Sequence, residues 1–269
     1  MARLFENLDS ILKLLAISPL GLITDVDGTI SRVAPTPAEA VVSPVCHFYL
    51  SLLSQKLSLV AVISGRPVSQ VKQMLGIEGL VYVGNHGLER LVGGKIEISQ
   101  QVREYPGLVE ATLQDLRPLA AIEGILFENK GVTASIHYRL CHDRESVRRQ
   151  ILAAVANSSS ARKLRIAQGR MSVELRPPVE ANKGTAMRDL VEDYHLRAAI
   201  CLGDDLTDVD AFRAIHQLRH PDFQGLAIGV IDNETAPEVE QEADFTLQGV
   251  GEVEQFFKWV AELTLKSSC

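Results

Sequence analysis

Two aspartates stand one residue apart at the end of a short apolar run, in the segment LGLITDVDGT at residues 20–29. An apolar run of this length is typical of a buried parallel strand, and ligands of open α/β sheets bind just beyond the carboxyl ends of such strands. Residues two apart in extended chain point to the same side, so Asp25 and Asp27 can share one ligand or one hard cation such as Mg²⁺. An Asp-Gly pair after an apolar run is also a hairpin signal, and this segment alone leaves both interpretations open.

A second acidic group follows another apolar run later in the chain. Residues 198–202 lead into the segment GDDLTD at 203–208, which contains Asp204, Asp205 and Asp208. Acids at this density are typical of helix N-terminal capping. Next to the first acidic strand end they favour a hard-cation site, because carboxylates hold Mg²⁺ at roughly 2.1 Å and leave coordination positions for water and phosphate.

Two further segments offer groups that bind anions. After the apolar residues 59–63, the turn SGRP places the Ser64 hydroxyl and several backbone N–H groups near the start of a helix. This pattern is typical of an anion site and equally of an ordinary helix cap. Lys183 opens the helix that follows the middle of the chain, at a position where we expect a junction between domains and therefore a cleft. A lysine in an exposed position would only be solvated.

Composition restricts the class of protein. The 269 residues are 46% hydrophobic and 23% charged, which is an ordinary balance for a globular protein with one large or two modest domains. The formal net charge of -7 argues against binding to nucleic acid, which usually requires a basic surface. No segment predicts a signal peptide or a membrane span. Four scattered cysteines without a CxxC pair, at positions 46, 141, 201 and 269, favour reduced thiols and a cytoplasmic location.

The order of apolar runs predicts an α/β protein with an insertion. Short apolar runs alternate with helical patterns from Gly21 to Val83 and again from residue 184 to the end, which predicts a Rossmann-like parallel sheet covered by helices. Residues 105–178 instead follow the order helix, strand, strand, helix, strand, strand, with short turns within each strand pair. We therefore expect a catalytic core at 1–105 and 179–269, interrupted at 106–178 by an α+β domain with an antiparallel sheet and two helices.

The strands of this predicted insertion have one polar face. Alternation along the strands places Glu128 and Lys130 on one side of the first strand, His137 and Arg139 on one side of the second, and Glu174 on one side of the fourth. A solvated face is common in antiparallel sheets. A surface that binds a hydroxyl-rich ligand needs the same kind of side chains, and the pattern alone leaves both interpretations open.

Together these segments resemble the haloacid-dehalogenase superfamily of aspartate-dependent phosphohydrolases. The resemblance rests on DVDGT at 25–29, Ser64, Lys183 and GDDLTD at 203–208, and the insertion is similar to the larger type of cap domain in that superfamily. Finer motifs resemble the trehalose-6-phosphate phosphatases and extend the match over most of the chain, from about Gly21 to Phe212. These motifs are SGRP at 64–67, GNHGLE at 84–89, FENKG at 127–131, HYR at 137–139, VELRP at 173–177 and NKG at 182–184.

The resemblance implies a role for each group in the core. Asp25 would attack phosphorus and become an aspartyl phosphate, while Asp27 would protonate the leaving oxygen and then activate water. Mg²⁺ would be bound by the Asp25 side chain, the Asp27 carbonyl and Asp204, with Asp205 and Asp208 orienting ligands or water. Ser64 and Lys183 would hold the phosphoryl oxygens, and Arg66 would contribute to the same pocket. Val209 departs from the pattern, because many relatives carry a glutamate there; this change makes the metal site less acidic.

The insertion would select the substrate. By resemblance, polar side chains of the insertion would bind the glucose unit far from the phosphate; these side chains are Glu128, Lys130, His137, Arg139 and Glu174. Asn85 and His86 would contribute from the core. We therefore expect a cytoplasmic monomer that hydrolyses trehalose 6-phosphate, is functionally coupled to trehalose-6-phosphate synthase, and binds neither nucleic acid nor membrane. The alternatives are a phosphatase for another glycosyl phosphate (of sucrose, glucosylglycerol or mannosylglycerate), a phosphomutase, or a non-catalytic sugar-phosphate sensor.

Overall fold

The computed structural model describes residues 2–266, and these residues form two compact units. The first, here called the core unit, consists of the described residues within 1–34, 40–96 and 181–269. The second, here called the inserted unit, consists of residues 35–39 and 97–180. The sequence predicts the insertion at 106–178, whereas the continuous part of the inserted unit spans residues 97–180.

The described residues contain helices and strands in an alternating order, with several single turns of 3₁₀ helix between them. The helices are α1 (Leu8–Leu15), α2 (Pro44–Leu53), α3 (Val68–Leu75), α4 (Tyr105–Asp115), α5 (Arg144–Asn157), α6 (Lys183–Asp193), α7 (Leu206–Gln217), α8 (Pro237–Glu242) and α9 (Gly249–Lys266). The strands are β1 (Leu20–Thr24), β2 (Leu59–Ile63), β3 (Val81–Gly84), β4 (Glu89–Val92), β5 (Lys95–Ile98), β6 (Leu126–Asn129), β7 (Ala134–His137), β8 (Arg165–Gly169), β9 (Ser172–Arg176), β10 (Ala198–Gly203), β11 (Gln224–Ile231) and β12 (Phe245–Gln248).

An eight-stranded sheet has the order β12-β11-β10-β1-β2-β3-β4-β5 and is parallel from β12 to β3. Its central strands β1, β2 and β10 are buried along their whole length, which explains why they are continuous apolar runs. Strand β1 pairs in parallel with both β2 and β10. The hairpin interpretation of the segment at 20–29 is therefore wrong, and the predicted α/β fold class with a parallel core and a separate antiparallel sheet is confirmed.

Side chains on the two faces of this sheet enter two different apolar clusters. Leu22 and its equivalents on one face pack with α1, α2, α3 and α9, around the fully buried Phe256 and Phe257. Ile23 and its equivalents on the other face pack with α6, α7 and α8, around the fully buried Phe212. The period of two along each strand thus gives the central strands β1, β2 and β10 two buried faces, and this packing fixes the carboxyl ends of β1 and β10.

Several elements at the edges of the sheet were not predicted. Strand β4 pairs antiparallel with β3 and is followed by β5 after the exposed pair Gly93-Gly94. The sequence pattern predicts neither strand. The short helix α8 and strand β12 were also missed. Their residues are mostly polar or only partly buried, so they lack the continuous apolar run that reveals a central strand.

The inserted unit contains a four-stranded antiparallel sheet in the order β6-β7-β9-β8. The predicted order of helix, strand, strand, helix, strand, strand corresponds to α4, β6, β7, α5, β8 and β9. Ile136, Tyr138, Val173 and Leu175 lie in the unit's own apolar cluster, together with residues of α4 and α5 such as Ile151. The inserted unit therefore has a hydrophobic core of its own.

No helix within residues 2–266 combines the length and the apolar character that crossing a bilayer requires. Cys46, Cys141 and Cys201 are buried free thiols, and Cys269 lies outside the described residues. Burial raises the pKa of Cys46 to about 12, and it raises the pKa of Cys201 well above its ordinary value. These two thiols are thus disfavoured as thiolates.

Phe212 should be essential to the stability of the helical layer that carries the acidic segment of residues 203–208. Its side chain is fully buried on α7, and Phe212→Ala is expected to lower the free energy of unfolding by about 3–5 kcal/mol through lost burial and the remaining cavity. The matched control is Phe48→Ala on α2, where the side chain is 55% exposed and a change of less than about 1 kcal/mol is expected. Urea denaturation of both variants measures the difference, and equal destabilisation would contradict the assigned core.

Candidate active site

Three buried carboxylates and one buried ammonium meet at the carboxyl edge of the parallel sheet. Asp25 directly follows β1, and its backbone N–H donates to Leu202 of β10 at 3.0 Å. The Lys183 Nζ lies 2.9 Å from Asp25 Oδ1 and 2.8 Å from Asp208 Oδ1. One carboxylate oxygen each of Asp25, Asp204 and Asp208 lies within 4.8 Å of the other two. These three side chains are here called the carboxylate cluster.

Glycines allow this close approach. A Cβ added to Gly28 would lie 1.9 Å from Asp204 Oδ2, and one added to Gly203 would lie 2.2 Å from Asp208 Cγ. Gly28 also has a φ of +89°, a backbone conformation that L side chains rarely adopt. Thr29 donates its hydroxyl to Asp204 Oδ1 at 3.2 Å, which connects the loop after β1 to the loop after β10. The DVDGT and GDDLTD segments are thus packed directly against each other.

The second acidic segment also starts helix α7. Asp205 is the N-cap residue, and its carboxylate accepts the Leu206 N–H at 2.8 Å. Asp208 completes the capping box, because its Oδ2 accepts the backbone N–H groups of Asp204 and Asp205 at 3.3 and 3.2 Å. The two interpretations of this segment therefore do not exclude each other: Asp208 caps the helix with one oxygen and faces Lys183 with the other.

Burial controls the charge of the cluster. It raises the pKa of Asp25 from its usual 3.8 to about 7; Lys183 opposes this shift, while Asp208 and Asp27 add to it. Burial also raises the pKa of Asp208, again against the influence of Lys183. Burial on its own disfavours the charged form of Lys183, but Asp208 and Asp25 outweigh it and raise the pKa of that ammonium above its usual value. Lys183 is therefore a permanent cation that only partly offsets three carboxylates.

The donor set of the cluster fits a hard divalent cation. Three carboxylates against one ammonium leave an excess of buried negative charge, which is costly unless it is neutralised. Oxygen donors grouped in this way are those that Mg²⁺ prefers, and the short distances among them suit shared coordination. Position 209 adds no further acid, because Val209 is buried in the apolar cluster beneath the sheet.

Asp27 faces a different partner. Arg66 donates from Nε to Asp27 Oδ2 at 2.6 Å and from Nη2 to Asp27 Oδ1 at 2.8 Å, which is a bidentate ion pair. The Arg66 side chain is 10% exposed and that of Asp27 is 38% exposed. Two aspartates separated by one residue thus occupy unlike surroundings, one against a buried lysine and one against an arginine fork.

The turn at residues 64–67 is held by the segment that follows β3. Its carbonyl groups at Ser64 and Arg66 accept the backbone N–H groups of His86 and Asn85 at 2.9 and 2.8 Å. Asn85 and His86 have left-handed φ values of 46° and 58°, and a Cβ on Gly65 would lie 2.7 Å from the His86 ring. Helix α3 begins at Val68 with Pro67 as its N-cap residue, so the helix-cap interpretation of Ser64 is wrong. The Ser64 hydroxyl instead accepts the Arg66 N–H at 3.2 Å.

Glu89 completes this arrangement, although the sequence pattern did not identify it as a site residue. Its carboxylate is buried and accepts the Val68 N–H at 2.9 Å, so it caps α3 from the neighbouring strand β4. Thr29, which binds Asp204, was also missed as an individual residue. Glu89 lies in the motif GNHGLE and Thr29 in the motif DVDGT, both of which resemble the family. Their positions in these motifs are the sequence signal that could have identified them as site residues.

In the inserted unit, the predicted polar face forms a network of paired charges. Glu174 accepts from Ser135 at 3.0 Å and from Arg176 at 3.0 Å, and it lies 3.9 Å from Lys130 Nζ. Glu128 contacts His137 Nε2 at 2.9 Å and lies 3.7 Å from Lys130 Nζ. Ser135, Lys130 and Glu174 are buried, so the solvated-face interpretation does not hold for them.

Arg139 lies elsewhere than the alternation predicted. Strand β7 ends at His137, and Arg139 follows in a turn where its carbonyl accepts from Arg144 Nε at 2.9 Å. Arg139 therefore lies outside the strand on which it was expected. Lys130 likewise lies in the turn after β6 and not on the strand, although its ammonium still approaches Glu128 and Glu174.

Two relatives with similar sequences are described as trehalose-phosphate phosphatases. A trehalose-phosphate phosphatase of Mycobacterium leprae (strain TN) is 31% identical over 249 residues, which cover 88% of this chain and 56% of that protein. A protein of the same description from Mycobacterium marinum (strain ATCC BAA-535 / M) is 33% identical over 242 residues, which cover 86% of this chain and 59% of that protein. The chain spans little more than half the length of these relatives.

Solved structures share the fold. The C-terminal domain of a trehalose-6-phosphate phosphatase from C. albicans superposes with a TM-score of 0.82 at 19% identity, covering 96% of this chain and 98% of that one. A haloacid dehalogenase-like hydrolase from Bacteroides thetaiotaomicron gives a TM-score of 0.63 at 13% identity, covering 89% and 98%. The chain also matches the family profile described as trehalose-phosphatase over residues 23–250. Since this match covers most of its length, the chain belongs to the trehalose-phosphatase family.

Proposed function

We propose that this protein is a Mg²⁺-dependent phosphatase that converts trehalose 6-phosphate to trehalose and phosphate through an aspartyl phosphate. The observation that carries the proposal is the carboxylate cluster, in which buried Asp25 lies 2.9 Å from a buried lysine and beside two further carboxylates. Membership of the trehalose-phosphatase family supports the choice of substrate. A structural ion-pair network alone would not require three acids around one ammonium.

The reaction is slow enough to require several groups at once. Enzymes accelerate phosphate-monoester hydrolysis by up to a factor on the order of 10²¹, whereas general acid–base catalysis supplies only about 10² to 10⁴. Asp25 is the proposed nucleophile, because it directly follows the central strand β1 and is held in place by its backbone bond to Leu202. Lys183 keeps its positive charge beside Asp25 and is placed to offset charge on the transferring phosphoryl group.

Proton transfer is assigned to Asp27. In the first step the Asp25 oxygen bonds to phosphorus while the ester bond breaks, and Asp27 gives its proton to the departing sugar oxygen. In the second step Asp27 takes a proton from water as that water displaces the Asp25 oxygen from phosphorus. Mg²⁺, when bound, supplies charge stabilisation to the phosphoryl oxygens. The Asp25 side chain, the Asp27 carbonyl and Asp204 are the proposed ligands, and Asp205 and Asp208 are proposed to orient ligands or bound water.

Three further residues of the core unit are proposed to bind the substrate: Ser64, Asn85 and His86. The Ser64 hydroxyl is proposed to donate to the phosphoryl group, and the left-handed turn at Asn85 and His86 is proposed to present polar side chains to the substrate. In the inserted unit, a disaccharide with many hydroxyls is proposed to bind the paired side chains; the candidates are Glu128, Lys130, His137, Arg139 and Glu174. We further propose that the protein is a cytoplasmic monomer whose substrate is supplied by trehalose-6-phosphate synthase.

Phosphate release from a panel of sugar phosphates tests the substrate. With Mg²⁺, trehalose 6-phosphate should be hydrolysed with a kcat/KM at least about tenfold above those of sucrose 6-phosphate and glucose 6-phosphate, since a site that pairs with hydroxyls rejects ligands that leave its polar groups unmatched. Chelation of the metal should abolish release. Equal rates across the panel would contradict the assigned substrate, and tight binding without release would favour a sensor.

Asp25→Asn tests the nucleophile. The amide cannot attack phosphorus, so kcat should fall by about 10³-fold or more, in line with the loss of other enzyme nucleophiles. Asp222→Asn is the matched control, because the Asp222 side chain is 88% exposed and should leave kcat unchanged. Mass spectrometry of acid-quenched wild-type protein should detect one added phosphoryl group at Asp25. Full turnover by the Asn variant would exclude this mechanism.

Glu174→Gln tests the inserted unit. Loss of this buried carboxylate should raise KM for trehalose 6-phosphate by about tenfold or more while leaving kcat/KM for p-nitrophenyl phosphate nearly unchanged, because the aryl ester has no sugar to bind. Glu145→Gln is the control, since that side chain is 67% exposed on α5. A parallel loss on both esters would show that Glu174 does not act on the sugar.

The titration of Asp25 predicts how stability varies with pH. Its folded pKa of about 7 lies above the usual 3.8, so the folded protein binds this proton more tightly than the unfolded chain does, and stability should be lost as pH rises through 7 in the presence of a chelator. Mg²⁺ requires the ionised carboxylate, so its stabilising effect should be larger at about pH 8 than at about pH 5. Urea unfolding with EDTA or Mg²⁺ measures both trends. The Asp25→Asn variant should lack this part of the pH dependence; an unchanged dependence would contradict the assignment.

A further inference from the structure

The ion pair between Arg66 and Asp27 fixes the orientation of one carboxylate near the cluster. Arg66 donates to both oxygens, at 2.6 and 2.8 Å, so the plane of the carboxylate is defined as well as its position. The Asp27 side chain is 38% exposed, and an aspartate with that exposure would otherwise sample several rotamers.

Arg66 is itself held firmly. Its backbone N–H donates to the Ser64 hydroxyl at 3.2 Å, and its carbonyl accepts the Asn85 N–H at 2.8 Å. The next helix is fixed by Glu89, whose buried carboxylate accepts the Val68 N–H at 2.9 Å. A Cβ on Gly84 would lie 2.8 Å from the Arg66 carbonyl oxygen, so the end of β3 and the turn at 64–67 are in direct contact. The backbone of Arg66, from which the guanidinium extends, is therefore held in place by hydrogen bonds on both sides.

We propose that Arg66 is a positioning residue, which orients Asp27 for its proton transfers and does not act as a phosphate ligand. The inference rests on the proposed phosphatase function and replaces the phosphate-binding role expected for Arg66 from the sequence. The geometry supports it because the fork of Arg66 matches the carboxylate of Asp27 with two hydrogen bonds. A lysine could not reproduce this match, because its ammonium is a single point charge without a planar fork.

The two steps of the reaction depend on Asp27 in different ways, and this difference allows a test. When an alkyl ester reacts, the Asp25–phosphorus bond forms, the ester bond breaks, and the Asp27 proton goes to the sugar oxygen. When p-nitrophenyl phosphate reacts, the stable aryl oxyanion departs without that proton. In the second step Asp27 takes a proton from water with either ester. If loss of Arg66 lets the Asp27 carboxylate move from its position, both steps become slower for an alkyl ester. For the aryl ester only the second step becomes slower.

The experiment compares the wild-type protein with Arg66→Gln and Arg66→Lys on trehalose 6-phosphate and p-nitrophenyl phosphate. For the aryl ester, kcat/KM should stay within about threefold of wild type while kcat falls about tenfold or more, because kcat/KM reports the steps up to departure of the leaving group. Rapid mixing should show a burst of p-nitrophenol close to one per protein molecule. For trehalose 6-phosphate, kcat/KM should fall about tenfold or more in both variants.

Arg213→Gln is the matched control. Arg213 also donates from Nε and Nη2 to a carboxylate, that of Glu242 at 3.0 and 2.8 Å, but it lies on the surface of α7. Loss of this surface arginine should leave kcat and kcat/KM unchanged for both esters. Arg66→Lys retains a positive charge and a long stem, so it provides a second folded variant, and circular dichroism checks both.

The outcomes separate the two roles of Arg66. A fall of kcat/KM on both esters by the same factor, with activity restored by Arg66→Lys, identifies a phosphate ligand and overturns the inference. Unchanged kinetics in both variants also overturn it. If the wild-type protein releases phosphate from neither ester, the proposed function fails and the inference falls with it, an outcome that is distinct from the other two.

Discussion

The imbalance of buried charge at the carboxyl edge of the parallel sheet is the constraint on which the site depends. Three carboxylates lie around a single ammonium, and a cluster of this kind is costly to bury unless a further cation or a proton offsets it. The same burial raises the pKa of Asp25 to about 7, against the opposing influence of Lys183. The fold sustains the cluster because β1, β10, α6 and α7 are each fixed by apolar packing on the two faces of the sheet.

Some residues of the candidate site also stabilise the starts of the helices on which they lie. Asp208 caps helix α7 with one oxygen and faces Lys183 with the other. Lys183 lies in the first turn of α6, whose start is fixed by a capping box between Asn182 and Thr185. A helix start presents free N–H groups and a defined side-chain direction, so residues at that position are held more rigidly than residues of a long loop.

The inserted unit follows a different principle. Its antiparallel sheet has one apolar face, packed on α4 and α5, and one face that contains charged side chains paired with one another. Charges that are buried and mutually paired keep fixed positions. This is the face that we propose binds the hydroxyl groups of a disaccharide.

The sequence by itself determined the fold class, the order of elements in the inserted unit, the central strands of the core unit and the two acidic strand ends, because long apolar runs and motif spacing are local properties of the chain. It did not reveal the edge strands β4 and β5, the turn position of Arg139, or the role of Glu89 as a cap from a neighbouring strand. Only the tertiary structure decided that Asp25 lies against Lys183 while Asp27 lies against Arg66. The reason is that residues 25, 66, 183 and 208 are far apart in the chain, and their pairing depends on how the strands and helices pack.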